Sequence, residues 1–293
     1  MSITQKLCDL KLISPPSFLP ANIHYEVVVG SMAYGVSSDT SDMDVVGFCI
    51  PRKEDIFPHL RGEIPGFGRN KQRFDVWQQH HIKTPDGKEY DLAIYSIIKI
   101  FQLCMENNPN CLDVLYAPQH CVLHATQIAQ TIREKRDIFL HKGCWHKFKG
   151  YAYSQLHKIQ TKNPIGKRQK IIEEFGFDVK FAYHVVRLML EVEQILSEHT
   201  LTIDRNAEIL KAIRRGEWSL DKIKQFFEEK EKHLESLYHS STLPYSPRES
   251  EIKELLLNSL EIHYGSLENA IIREDQASNA LRKIAEIIES TKI

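Results

Sequence analysis

Charge of one sign, long apolar runs and paired cysteines are all scarce in this chain, and each scarcity removes a class. Thirty-eight basic residues stand against 39 acidic ones, a formal net charge of −1. Bulk electrostatic attraction to nucleic acid or to an anionic membrane is therefore excluded. No apolar run approaches the roughly 20 residues that span a bilayer. Met1–Leu10 holds no basic patch followed by an apolar stretch, so no secretory signal is read there and a cytoplasmic location is expected. The six cysteines (Cys8, Cys49, Cys104, Cys111, Cys121, Cys144) form no C-x-x-C pair and no zinc-type spacing. Reduced, buried thiols are the expectation, rather than a disulfide scaffold or a metal finger. There is no internal repeat and no low-complexity tract.

What remains is a chain of 293 residues, 42% hydrophobic, long enough for a substantial core and about two domains. Its two halves differ. Tyr25–Val29 and Asp44–Ile50 are β-branched runs, closed by Gly30 and Pro51. Phe74–Ile82 and Lys88–Tyr95 flank Thr84-Pro85-Asp86-Gly87, a turn signal, and read as a hairpin. Residues 52–73 hold glycines, prolines and charges and read as an irregular insertion. From Ser96 onward the apolar spacing is helical, with faces at Ile97–Cys104, Ala182–Ile195, Leu255–Leu260 and Leu281–Ile288. The fold class is therefore α/β (α+β). The expected division is a head over 1–140, interrupted at 52–73, and a mostly helical domain over 141–293.

The chemistry concentrates in Val29-Gly30-Ser31, a spacer of ten residues, and Asp42-Met43-Asp44. A strand ending in Gly-Ser lets backbone approach a ligand closely, with N–H groups and a hydroxyl available to phosphate oxygens. Asp42 and Asp44 alternate to one face of an extended segment. Two neighbouring carboxylates call for a counter-charge that oxygen-preferring Mg²⁺ or Mn²⁺ supplies. Asp91 is the candidate third acid, on the strand face opposite Tyr90, Leu92 and Ile94. Glu89 shares its face and is the reserve. Three acids suit a pair of ions about 3.5–4 Å apart.

These residues resemble the signature of the DNA-polymerase-β-like nucleotidyltransferases: a hydrophobic residue, Gly-Ser, about ten residues, then Asp-x-Asp. The string GSMAYGVSSDTSDMDVVGFCIP looks like one branch, the stand-alone nucleotidyltransferases associated with bacterial and phage RNA repair. Further matches are Asn108-Pro109-Asn110 with Leu112-Asp113-Val114-Leu115, Gly150-Tyr151 with Gln155, and Lys180-x-Ala182-x-His184-x-x-Arg187-Leu188. The likeness spans roughly residues 25–260. It implies a small mixed-sheet catalytic head and transfer of a nucleoside monophosphate from an NTP to a hydroxyl, releasing pyrophosphate. It also implies two Mg²⁺ or Mn²⁺ ions on Asp42, Asp44 and Asp91, with Gly30 and Ser31 on the phosphates.

Two basic features bear on the substrates. Lys180, His184 and Arg187 share a helix face, and read either as a clamp on an NTP triphosphate or as an ion-pair seam with acids such as Glu191. Between Asp137 and Glu173 there is no acidic residue, while eight lysines and arginines, among them Lys158, Lys162 and Arg168, are interleaved with Trp145, Phe148, Tyr151 and Tyr153. That pattern fits an RNA surface, basic side chains on phosphates and aromatics on bases. It fits equally an amphipathic helix with its aromatics in the core. With the family likeness, an RNA end such as that of tRNA is the favoured acceptor. A small molecule or protein acceptor, or a catalytically silent RNA-binding module, are the alternatives. The oligomeric state and the choice of NTP are not legible.

Overall fold

A computed structural model describes residues 1–37, 43–64, 66, 73–161, 166–266 and 284. It separates into two compact units, Met1–Pro51 with Phe74–Leu256, and Arg52–Arg73 with Leu257–Ile293. The second contains a short helix, α2 (Lys53–Ile56). The sheet and the helices described below belong to the first unit, except the part of the last helix beyond Leu256, and Ile284, which belong to the second.

That unit opens with α1 (Ile3–Asp9) and is built on a five-stranded mixed sheet. Its strands are β1 (Ile23–Val28), β2 (Met43–Cys49), β3 (Val76–Lys83), β4 (Glu89–Ser96) and β5 (Val122–Ala125), in the order β3-β4-β2-β1-β5. β2 and β4 run parallel and the other neighbours antiparallel. The expected hairpin is β3–β4. Its turn is closed by Gly87 N–H to the Thr84 carbonyl at 2.9 Å.

β1 lies inside the sheet and is buried along its whole length, including Glu26. The Glu26 carboxylate accepts from the Ile3 N–H, the Thr4 N–H and the Thr4 hydroxyl at the start of α1. A helix N-terminus thus solvates an acid that burial would otherwise penalise. β5 departs from the helical reading of everything after Ser96. Its four residues are too few to display an alternation, and pairing with Tyr25–Val27 makes it a strand.

Behind the sheet come α3 (Ile97–Met105), α4 (Pro109–Tyr116) and α5 (Gln127–Glu134). Ser96 caps α3 by accepting the Lys99 N–H at 3.1 Å. Asn108 caps α4, whose first residue is Pro109, where a missing N–H costs nothing. The helical body adds α6 (Cys144–Thr161), α7 (Lys167–Phe175), α8 (Val179–Glu198), α9 (Ala207–Arg214), α10 (Leu220–Ser240) and α11 (Glu249–Tyr264). α8 is apolar on most sides and becomes the axis on which α6, α9 and α10 pack. Asp178 starts it by accepting the Lys180 and Phe181 N–H groups at 2.9 and 3.2 Å. Of the residues expected to form a last helix at Leu281–Ile288, only Ile284 lies within the described residues, and it is helical.

The cysteines are all free, five of them buried. Burial pushes the Cys49 and Cys111 thiols up to about 12, so they pack as small hydrophobes. Among the described residues no helix is long and apolar enough to cross a membrane.

Candidate active site

The parallel pairing of β2 and β4 sets Asp44 opposite Asp91, Val46 opposite Ala93 and Phe48 opposite Tyr95. Cross-strand partners share a face of the sheet. The two acids, 47 residues apart in sequence, therefore stand side by side. Asp44 is exposed and Asp91 partly so. Asp42 lies outside the described residues. Glu89 faces the same way but accepts from His81 Nδ1 at 2.7 Å.

The chain leaving β1 wraps the rim of this pair. Val29 N–H donates to the Asp44 carbonyl at 2.8 Å, and Gly30 follows at φ +69°. A Cβ on Gly30 would stand 2.9 Å from Asp44 Oδ2. Gly30 is needed both for its left-handed backbone and for its bare approach to the carboxylate. Ser31 sits in the tight turn that follows, closed by Tyr34 N–H to the Gly30 carbonyl at 3.1 Å and Val36 N–H to the Ser31 carbonyl at 2.8 Å. Gly30→Ala is expected to displace Asp44 and to reduce turnover at least tenfold, measured as pyrophosphate release. Full activity in that variant would mean the rim does not shape the site.

Two histidines went unread in the sequence. The β3–β4 pairing slips between Gln79 and Ile82, so that His80 and His81 together oppose Asp91. This is a β-bulge, with His81 at φ +57°. His81 N–H donates to Asp91 Oδ1 at 2.7 Å, and His80 Nδ1 lies 3.3 Å from Asp91 Oδ2. Four consecutive polar residues, Gln78 to His81, break the alternation of the strand, and that was the available signal.

The turn carrying Gly30 and Ser31 is mounted on the helical body. The Tyr34 hydroxyl donates to Asp113 Oδ2. Asp113 in turn accepts from Arg187 Nη1 at 2.8 Å, and the same nitrogen reaches Glu191 at 2.9 Å. Arg187 also stacks over the Tyr34 ring at 4.4 Å. Further along the turn Arg214 donates to the Val36 carbonyl, and a Cβ on Gly35 would touch Ala207 at 3.1 Å. Of the two readings of Arg187, the structure shows the ion-pair seam. The guanidinium is buried, with only 4% of its side chain exposed, and engaged with Asp113 and Glu191. Burial raises both carboxyls, Glu191 to about 8, although Arg187 pulls the other way.

Lys180 differs. It is exposed on the first turn of α8 and has no carboxylate partner among the described residues. Tyr183, one turn on, is pushed up to about 12 by burial and is also raised by the charge of Asp44. This face of α8 therefore comes within electrostatic reach of Asp44. His184 lies beside it, held well below the ordinary 6.5 by burial and by the charges of Arg187, Lys180, Arg168 and Arg214. The unfolded chain takes up a proton near pH 6.5 that folded His184 refuses. Its stabilising contribution is thus present above that pH and lost as pH falls. Urea melts should show wild type losing stability between pH 7 and pH 5 more steeply than His184→Gln. Equal slopes would contradict this environment for His184.

The acid-free window resolves into two faces. Trp145 and Phe148 are fully buried, and Tyr153 donates to Glu231 at 2.9 Å. Lys142 is buried under Tyr245, Lys147 meets Glu106 at 3.3 Å and Lys149 meets Glu231 at 2.6 Å. Arg168 reaches the buried Asp178 at 3.2 Å and covers the Phe181 ring at 4.2 Å. Two of the four aromatics are thus core, the two tyrosines are not, and several of the cations are paired. Lys158 has no carboxylate partner among the described residues. Lys162 lies outside them.

A family model described as RNA repair pathway DNA polymerase beta family, RlaP, matches residues 10–270. The chain belongs to that family. The match covers the sheet, the Gly30 turn, both described acids and the helices from α2 through α11. The chain is also similar to a nucleotidyltransferase-like protein from Exiguobacterium sibiricum known from a crystal structure. Identity is 9% and the TM-score 0.30, over 81% of this chain and 73% of that one. No curated protein matches it. Membership makes the protein a polymerase-β-like nucleotidyltransferase by family.

The donor set fits a divalent cation. Asp44 and Asp91 offer oxygens from adjacent strands, which suits Mg²⁺ or Mn²⁺ rather than softer metals. Among the described residues no three ligating groups converge.

Proposed function

We propose that this protein transfers a nucleoside monophosphate from an NTP to a hydroxyl at an RNA end, with Mg²⁺ or Mn²⁺, in the reducing cytoplasm. The supporting observation is the side-by-side placement of Asp44 and Asp91 at the rim formed by Gly30. Asp42 and Asp44 would hold two ions and Asp91 the one nearer the acceptor. Bound there, the ions would lower the pKa of the attacking hydroxyl and neutralise charge on the leaving pyrophosphate. The acceptor oxygen bonds to the α-phosphorus as the bond to the β-phosphate oxygen breaks.

The chain's own groups do the positioning. Main-chain N–H groups from Gly30 onward and the Ser31 hydroxyl donate to phosphate oxygens. Lys180 supplies a mobile point charge for the triphosphate. Arg187 acts at one remove, fixing Tyr34 and through it the Gly30–Val36 turn. His81 N–H fixes the Asp91 carboxylate in orientation.

The experiment is incubation with each α-labelled NTP and Mg²⁺ against separate pools of RNA, protein and aminoglycoside. Label on RNA, with equimolar pyrophosphate, is the expected result. Label confined to protein or to the aminoglycoside would overturn the choice of acceptor.

A further inference from the structure

Gly150 has no explanation within the fold. Every other described glycine either has φ between +68° and +84° or lies under a close neighbour, as Gly47 does beneath the Tyr25 carbonyl and Gly143 beside His141. Gly150 sits inside α6 in ordinary helical backbone, and an added Cβ would meet nothing among the described residues within 4 Å. Glycine in a helix interior is destabilising relative to alanine. The chain carries that cost where neither turn nor packing requires it.

Gly150 is also the floor of a surface groove of about 400 Å³. The lining comes from one face of α6: Lys147, Gly150, Tyr151, Ser154, Gln155 and Lys158 recur at helical spacing. The opposite face, Trp145, Phe148 and Ala152, is in the core. Among the described residues no acid lines the groove. Lys147 and Lys158 of its lining are eleven residues, or roughly 16 Å of helix axis, apart. Lys147 shares its charge with exposed Glu106, whereas Lys158 rests near the Phe181 ring at 5.9 Å without a carboxylate partner among the described residues. Between them lie a hydroxyl, a carboxamide and a phenol, groups that hydrogen-bond sugars and base edges.

Tyr151 relates the groove to the sheet that carries the carboxylates. Asp91, Ala93 and Tyr95 point to one face of β4. Tyr95 is in electrostatic contact with Tyr151, and the Tyr151 hydroxyl accepts from Asn108 Nδ2 at 3.0 Å. From Asp91 to Tyr95 is about 13 Å of strand. Tyr151 of the groove thus comes within electrostatic reach of the end of β4.

We propose that this α6 groove binds a single-stranded RNA segment. Its phosphate lies at Lys158, and a nucleoside lies over Gly150 against Tyr151, Ser154 and Gln155. This rests on the RNA-acceptor reading above and gives that acceptor its path. The bare Cα lets a sugar or base come closer to the helix than any side chain would permit. The hydrogen-bonding groups between the lysines suit a ribose 2′-hydroxyl.

The test uses full-length Asp44→Asn protein, so that binding is read without turnover, and a fluorescent single-stranded RNA in anisotropy titrations. Gly150→Leu in that background should weaken RNA at least tenfold. Gly150→Ala should raise the melting temperature. Lys158→Ala should weaken RNA and reduce the dependence of log K on log salt by about 0.7. NTP affinity should stay unchanged in all three. If the parent protein binds no RNA, both the acceptor reading and the groove's ligand are wrong. RNA binding by the parent that survives Gly150→Leu and Lys158→Ala overturns the groove alone. Loss of polyglutamate binding in those variants, with RNA binding intact, would make the groove a site for acidic polypeptide and overturn it too.

Discussion

Asp44→Asn should slow nucleotidyl transfer by about 10³-fold or more while leaving the thermal unfolding of the protein unchanged. The carboxylate is exposed at the start of β2, so its charge is not needed for the core. Asparagine keeps its shape and one oxygen beside Gly30. What it loses is the negative charge that, with Asp91, would hold a divalent cation. One ligand of a two-metal site is worth several kcal/mol of transition-state stabilisation, and about 1.4 kcal/mol corresponds to each tenfold in rate. The measurement is single-turnover pyrophosphate release at saturating Mg²⁺. A rate within tenfold of wild type would remove Asp44 from the metal site.

Arg187→Met has the largest expected effect on stability. The guanidinium is the only basic partner that the described structure gives Asp113 and Glu191, and all three are almost fully buried. Removing one partner from such a cluster leaves uncompensated charge in a low-dielectric site, a loss of about 3–5 kcal/mol. The pH dependence gives the loss a signature. Burial holds both carboxyls above their ordinary range, Glu191 at about 8. A folded-state pKa raised above the unfolded one contributes stability at low pH, and the contribution is lost as pH rises through the folded value. Without Arg187 both carboxyls rise further. Arg187→Met should therefore be far less stable than wild type at pH 8 and recover part of the deficit at pH 5.5. Urea unfolding at the two pH values measures this. A deficit that is small, or the same at both, would mean the cluster is not the anchor of the Tyr34 turn.

The catalytic half of the fold was legible because its signals are local. β1 and β2 are β-branched runs closed by Gly30 and Pro51, and Thr84–Gly87 carries its own turn chemistry. Strand alternation put Asp91 on the face of β4 opposite Leu92. Register, however, belongs to pairs of strands. That Asp44 meets Asp91 follows from β2 and β4 lying parallel and adjacent, and the His80–His81 bulge exists only relative to β4. β5 was invisible for the same reason.

The charges of the helical body show a second kind of shortfall. Lys180 and Arg187 share a face of α8, but the sequence could not say that Asp113 of α4 would meet one and leave the other exposed. The acid-free window held more information than was drawn from it. A 3.6-residue period along α6 places Trp145, Phe148 and Ala152 together on one face and Lys147, Tyr151, Ser154 and Lys158 on another. Its basic and aromatic residues are thus divided between surface and core.

The central claim, that Asp44 and Asp91 form the nucleotidyl-transfer site, is tested most directly by Asp91→Asn in a transfer assay with α-labelled NTP, Mg²⁺ and single-stranded RNA. Label should pass to RNA with wild type in step with pyrophosphate, and should fall by about 10³-fold with the variant, its melting curve unchanged. Transfer at the wild-type rate by a folded Asp91→Asn protein would contradict the claim.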